Sequence, residues 1–128
     1  MVDSSPLKQV ITPEGGFRGP PGLVAGLKAG GFLFFTAIRG QGDDIKQQAQ
    51  AAFHQLEGLL KTQGATLDHV VKVTVYFQDV AERSDFHEVW QETFTGTPPV
   101  RMAIQVANAS QTPDGNARFA LDVMALAP

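Results

Sequence analysis

The chain has 128 residues, 43% of them hydrophobic and 18% charged, which suits one compact domain with a real core and excludes a wholly disordered chain. It carries no cysteine, so disulfides, thiolate chemistry and cysteine-ligated metals are excluded. The net charge of -3, with lysines and arginines scattered along the chain, disfavours nucleic acid as a partner. Met1 to Pro13 lacks an apolar run and no stretch approaches membrane-spanning length, so no membrane partner and a cytoplasmic location are expected.

Residues 1–15 read as an irregular N-terminal segment. Gly15 to Gly31 is dense in glycine and includes Gly19-Pro20-Pro21-Gly22, so the backbone there turns or runs extended, with a short strand near Leu23 to Leu27. It is not a phosphate loop, since no Gly-Lys-Ser/Thr follows and the next segment is a strand. Phe32 to Ile38 is a short apolar run between glycines, which favours a buried strand and completes an N-terminal hairpin.

Asp43 to Gln63 is the clearest helix: Ile45, Ala49, Ala52, Phe53, Leu56 and Leu60 share a stripe, and Gly64 follows its end. Asp43 and Asp44 sit at its start, where capping explains them better than paired carboxylate chemistry. His69 to Asp79 alternates as a strand, with Val73, Val75 and Phe77 on one face and Lys72, Thr74 and Tyr76 on the other. Ser84 is a plausible N-cap for a second helix through Phe94, lined by Phe86, Val89 and Trp90, with Trp90 and Phe94 expected in the core.

The next strand follows Pro98-Pro99. Its alternation puts Val100, Met102, Ile104 and Val106 on one apolar face and Arg101, Ala103 and Gln105 on the other. A polar loop from Asn108 to Asn116 leads to a last strand, Arg118 to Leu126. The order predicts an α+β fold, a mixed sheet with both helices on one face. The second face would then carry Thr36, Thr74, Tyr76, Arg101, Ala103 and Ala120; no helix of the chain remains to cover it, and a symmetric oligomer could.

Arg101 is the foremost ligand candidate, because small neighbours leave room above it and its planar fork of donors matches a carboxylate. By pattern alone it fits equally an ordinary surface arginine or one half of a structural ion pair. Asp122 shares its strand face with Ala120 and Met124, and a structural pair with Arg101 or Lys72 competes there with a catalytic role. The three histidines, His54, His69 and His87, lack liganding partners at helical spacing, so no metal is expected. Ser84 and Ser110 have no local base and no Gly-x-Ser-x-Gly occurs, which argues against covalent catalysis.

Gly64 to Asp79 is similar to the stretch "G-x-x-x-x-D-V-V-K-x-T-V-F-x-x-D" of the Rid family, also called YjgF/YER057c/UK114, and Pro99-Val100-Arg101 resembles its "P-A-R" signature. Leu121-Asp122-Val123-Met124-Ala125 resembles the family's "I-E-I-E-A-I-A" strand, and the similarity runs from about Gly22 to Leu126. The resemblance implies one Rid-like domain over 1–128 with a chorismate-mutase-like fold, a homotrimer with ligand clefts between subunits, and no cofactor. It implies that Arg101 grips the carboxylate of a 2-imino or enamine acid, which water hydrolyses to a 2-keto acid and ammonia. Thr36, Ala103 and Trp90 match other pocket positions, where deaminating members have serine, cysteine and often asparagine.

The departures from that pattern are specific. Leu23 stands for a tyrosine and Ala37 for a glycine. Ala120 aligns with the glutamate that positions water, leaving Asp122 to match a second, more structural acid. An alanine cannot activate water, so no catalytic residue is assigned. The expectation is a Rid-like protein binding small carboxylate metabolites, with 2-iminobutanoate/2-iminopropanoate deaminase-like hydrolysis left open. A non-catalytic metabolite-binding or interaction module is the alternative. Endoribonuclease action or translation inhibition, attributed to some family members, is disfavoured by the acidic balance.

Overall fold

A computed structural model describes residues 7–112 and 114–128. Six strands form one sheet: β1 (Gln9–Ile11), β2 (Gly26–Ala29), β3 (Phe32–Ile38), β4 (Val70–Phe77), β5 (Val100–Gln105) and β6 (Phe119–Leu126). Two helices accompany them, α1 (Ile45–Lys61) and α2 (Arg83–Thr93). The spatial order is β1-β2-β3-β6-β4-β5, antiparallel throughout except for the parallel pair β4 and β5. That parallel pair needs a crossover, and α2 supplies it. The α+β mixed sheet expected from the element order is therefore present.

Both helices lie against one sheet face, which carries Leu33, Phe35, Val73, Val75, Phe77 and Leu121, all buried. The period-2 alternation of β3, β4 and β6 supplies these residues directly. α1 turns the stripe that includes Ala49, Ala52, Phe53, Leu56 and Leu60 onto them. Its start is closed by Asp44, which accepts from Gln47 N at 2.8 Å, while the Gln47 side chain accepts from Asp43 N at 2.7 Å. Gly64, at φ 70°, lets the chain leave the helix in a left-handed turn.

Phe86 is the hub of the packing on this face. Its ring is fully buried, with centroids 5.3 Å from Phe77, 5.1 Å from Phe119 and 5.8 Å from Phe53. Strand, strand and helix thus meet on one side chain of α2. Such aromatic pairs add specific geometry to a large buried area.

Three expectations are corrected. Residues 9–11, inside the segment read as irregular, form β1, because Gln9, Val10 and Ile11 pair in register with Lys28, Leu27 and Gly26 and Ile11 is buried; positions 1–6 lie outside the described residues. Ser84 is not the N-cap of α2. A 3-10 turn over Val80–Glu82 runs straight into the helix, and its own cap is Asp79, which accepts from Ala81 N at 3.0 Å. The amides that a cap would satisfy are thereby taken up one turn earlier.

The third correction concerns β5. Val73 pairs with Arg101 and Val75 with Ala103, so Arg101 and Ala103 lie on the helix side of the sheet. Val100, Met102 and Ile104 face away from the helices and are 67%, 60% and 41% exposed. β5 is an edge strand that overhangs the core, so its polar row meets α2 while its apolar row joins an uncovered face with Phe34 and Leu126. Alternation reveals which residues share a face but not which face is covered.

Truncating the hub tests this packing. Phe86→Ala should lower the unfolding free energy by about 3–5 kcal/mol, read from the midpoint of a denaturant melt. A change within experimental error would mean that the aromatic cluster does not hold α2 to the sheet.

Candidate functional site

Arg101 projects from β5 over α2, where its guanidinium carbon sits 4.6 Å from the Trp90 ring centroid and 5.9 Å from that of Phe86. Trp90 is buried and packs on Phe94 with ring centroids 4.5 Å apart, so the indole is a fixed surface. A cation on an indole face is held by the ring quadrupole, and the stack fixes the plane of the guanidinium. The ion pairs among the described residues are Lys46 with Glu88 and Arg118 with Glu82, so Arg101 has no carboxylate partner there. Partial burial draws its pKa below the ordinary arginine value, yet the group stays cationic. The half-buried Ala103 follows on the same face and presents no bulk beside it. The result is a flat cation with its plane held and its donor edge unpaired.

Thr36 lies elsewhere, on the face turned away from the helices. At the end of β3 the pairing with β6 slips between Phe35 and Ile38, an extra residue being accommodated, and Ala37 takes φ 56°. A bulge of this kind re-aims neighbouring side chains. Thr36 Oγ1 donates a short hydrogen bond to Asp122 Oδ1 on β6. Both line a cavity of about 450 Å³ together with Leu23, Ala37, Tyr76 and Ala120.

Tyr76 and Asp122 are diagonal neighbours across strands, since Tyr76 pairs with Ala120 and Thr74 with Asp122. The nearby negative charge of Asp122 is the main cause that pushes the Tyr76 phenol above its ordinary pKa. The neutral phenol is thus favoured in the folded chain. That contribution to stability is present below the unfolded value near ~10 and is lost as pH rises through the folded one.

The two clusters do not meet within one chain. Arg101, Trp90 and Ala103 gather at the β5 edge on the helix side, whereas Thr36 is three strands away on the opposite face, roughly 14 Å at ordinary strand spacing. Asp122 pairs with neither Arg101 nor Lys72, contrary to the structural pair considered for it. Ala120 is buried against Tyr76, and the carboxylate that reaches the Thr36 cavity belongs to Asp122. The cavity therefore has an acid after all, one alternation further along β6 than the resemblance implied. Tyr76 was the unrecognised member; its phenol and its place opposite Val75 were visible in the sequence, but its partner was not.

Two of the remaining candidates have structural roles. His69 Nδ1 accepts from Thr66 N at 3.0 Å, closing a capping box, and Ser110 Oγ accepts from Ala117 N at 2.7 Å. No three His, Asp or Glu side chains gather among the described residues.

The family model described as Endoribonuclease L-PSP matches residues 25–126. A RutC family protein of Pyrococcus horikoshii is 30% identical over 112 residues, 79% of this chain and 86% of that protein. The chain belongs to the Rid (YjgF/YER057c/UK114) family. Another Rid relative, Reactive Intermediate Deaminase A of Arabidopsis thaliana, is 25% identical over 115 residues, 81% of this chain and 60% of that protein. The Rid fold is matched by YyfA from Yersinia pestis, with a TM-score of 0.81 at 22% identity over 93% of this chain and 98% of that one. The YjgF product of E. coli has the same TM-score, 0.81, at 18% identity over 94% and 99%.

The single tyrosine makes the Asp122 contact measurable. Asp122→Asn should bring the phenol titration, followed by ultraviolet absorbance on raising pH, back down toward the ordinary tyrosine value. An unmoved midpoint would show that Asp122 does not act on Tyr76.

Proposed function

We propose that this Rid chain assembles as a homotrimer and binds small 2-keto, 2-imino or enamine acids in clefts between subunits, hydrolysing the imines to 2-keto acids and ammonia. The observation that carries the reading is the Arg101 guanidinium, stacked on Trp90 with its donor edge unpaired among the described residues. A carboxylate fits that edge with two parallel charge-assisted hydrogen bonds.

The assembly is supported by the separation of the two clusters and by the uncovered face that Phe34, Met102 and Ile104 make apolar. An exposed apolar sheet face of this kind favours association. In a cyclic assembly, Arg101 of one copy and the Thr36 cavity of the next make one cleft. The clamp then orients the acid, and the cavity supplies the groups that handle water.

In that cleft the imine carbon is the electrophile. Asp122, oriented by Thr36 Oγ1, accepts a proton from a water as its oxygen adds to carbon, giving a carbinolamine. That proton passes to nitrogen; Asp122 then moves the hydroxyl proton of the carbinolamine to the same nitrogen, the carbonyl forms as the carbon–nitrogen bond breaks, and ammonia leaves. Holding water and imine together accounts for rate enhancement even by a modest base. The Arabidopsis relative's name, Reactive Intermediate Deaminase A, agrees with this chemistry.

Two measurements test the reading. Arg101→Ala should weaken the calorimetric binding of 2-oxobutanoate by at least about tenfold, and the fluorescence of Trp90, the only tryptophan, should respond to that ligand in the parent but not in the variant. With imines generated in situ and trapped by semicarbazide, the parent should shorten the imine lifetime. Asp122→Asn should lose that acceleration while still binding the keto acid. Binding without acceleration in the parent would select the non-catalytic module.

Met102→Glu, at an exposed position of the uncovered face, should sediment as a monomer and lose ligand affinity. A variant that stays assembled would move the interface elsewhere.

A further inference from the structure

The cavity around Thr36 and Asp122 has several polar side chains in its wall, and most of them are already committed. Arg39 donates through Nε to the Ala109 carbonyl at 2.9 Å and through Nη1 to the Ala37 carbonyl at 3.2 Å, and its Nη2 is closed to solvent. Asn108 Nδ2 donates to the Thr112 carbonyl at 3.1 Å, while its Oδ1 accepts from Ser110 N at 3.0 Å. Thr36 gives its hydrogen to Asp122 Oδ1. Gln111 stands exposed on the loop. Arg39, Asn108 and Thr36 thus shape the cavity and have little left for its contents.

Two groups are left over: the phenol of Tyr76 and the second carboxylate oxygen of Asp122. Both residues are half-buried and line the cavity. Among the described residues the side-chain atoms sealed from solvent without a partner are Arg39 Nη2 and His87 Nδ1. Neither Tyr76 Oη nor Asp122 Oδ2 is shut away in that manner.

The residue beside both is small. Ala120 stands directly opposite Tyr76 in the pairing of β4 with β6, and Asp122 follows two residues later on the same face. A methyl at that position leaves the space next to phenol and carboxylate to the contents of the cavity, about 450 Å³ in volume. A bound water needs two to four polar partners, and these two oxygens offer a pair.

The two oxygens differ in basicity. The charge of Asp122 keeps the Tyr76 phenol above its ordinary pKa, so at neutral pH it is uncharged. A neutral phenol oxygen accepts a hydrogen bond yet is a far weaker base than a carboxylate.

We propose that Tyr76 is a catalytic residue of the imine hydrolysis: with Asp122 it seats the attacking water, the carboxylate accepting one of the water's hydrogens and the phenol oxygen the other. The inference rests on the reading of Asp122 as the base of that reaction. With both hydrogens held, a lone pair of the water oxygen is left to face the imine carbon. As the carbon–oxygen bond forms, the electron pair of the carbon–nitrogen double bond moves to nitrogen and Asp122 takes the proton on its side. The phenol neither gains nor loses a proton, and its bond passes to the new hydroxyl of the carbinolamine.

Tyr76→Phe removes one oxygen and keeps the ring. In the semicarbazide assay the variant should lose at least about tenfold of the parent's acceleration, the cost of one hydrogen bond to the reacting water, while calorimetric binding of 2-oxobutanoate stays within about threefold. Because the chain has a single tyrosine, labelling tyrosine with carbon-13 at Cζ gives one resonance that reports on this phenol. Saturating 2-oxobutanoate should shift that resonance in the parent, as the ligand carbonyl displaces the seated water. The resonance also decides the matter if the phenylalanine variant does not fold.

Full acceleration in Tyr76→Phe, or an unmoved resonance in a parent that binds 2-oxobutanoate, overturns the water seat and leaves Asp122 and the Arg101 clamp standing. Equal losses of binding and acceleration assign Tyr76 to the frame of the cavity and overturn it as well. A parent that accelerates no imine overturns the hydrolase reading itself, and the seat falls with it.

Discussion

The packing of α2 against the sheet through Phe86 is the constraint on which the rest depends. Phe86 joins strands β4 and β6 to helix α1, and one turn further along α2 Trp90 is fixed in turn against Phe53 and Phe94. The surface under Arg101 is therefore a consequence of the core. A guanidinium on a mobile indole would lose the orientation that makes it selective. Here the indole cannot move without disturbing the aromatic cluster, so core packing and the proposed carboxylate clamp share one set of side chains.

The second determinant is local strain. The slip between β3 and β6 sets Ala37 in a left-handed conformation that glycine adopts more readily. It turns Thr36 toward Asp122 and brings the Ala37 carbonyl to Arg39. A regular strand would continue the pleat and break this set apart. An alanine tolerates the conformation because β6 on one side and Arg39 on the other hold the backbone in place.

Much of this was legible in the sequence, and the failures have physical causes. Strong periodicity located α1 and β4 to within a few residues, since burial on one face needs a regular apolar row. The same logic misjudged β5, where Val100, Met102 and Ile104 form an apolar row that the chain's own helices do not cover. Capping of α1 by Asp44 followed from local chemistry, whereas Asp79 displaced Ser84 because a 3-10 turn preceded α2. Arg101, Trp90 and Thr36 were named from motif and resemblance. Their division between two faces, and the Thr36–Asp122–Tyr76 set, depended on strand register across β3, β6 and β4, which no local pattern encodes.

The overhanging position of β5 has a consequence for how the protein comes into being. Its outer edge leaves backbone groups unpaired while Val100, Met102 and Ile104 stand open to water, the combination that templates unwanted strand addition. Pro98 and Pro99 immediately before the strand, and the charge of Arg101 within it, limit that pairing. If the chain assembles as proposed, a newly folded protomer is the vulnerable species, and its lifetime before assembly decides between a productive oligomer and aggregation. In the proposed assembly, stability becomes a function of concentration, and dilution alone weakens the fold.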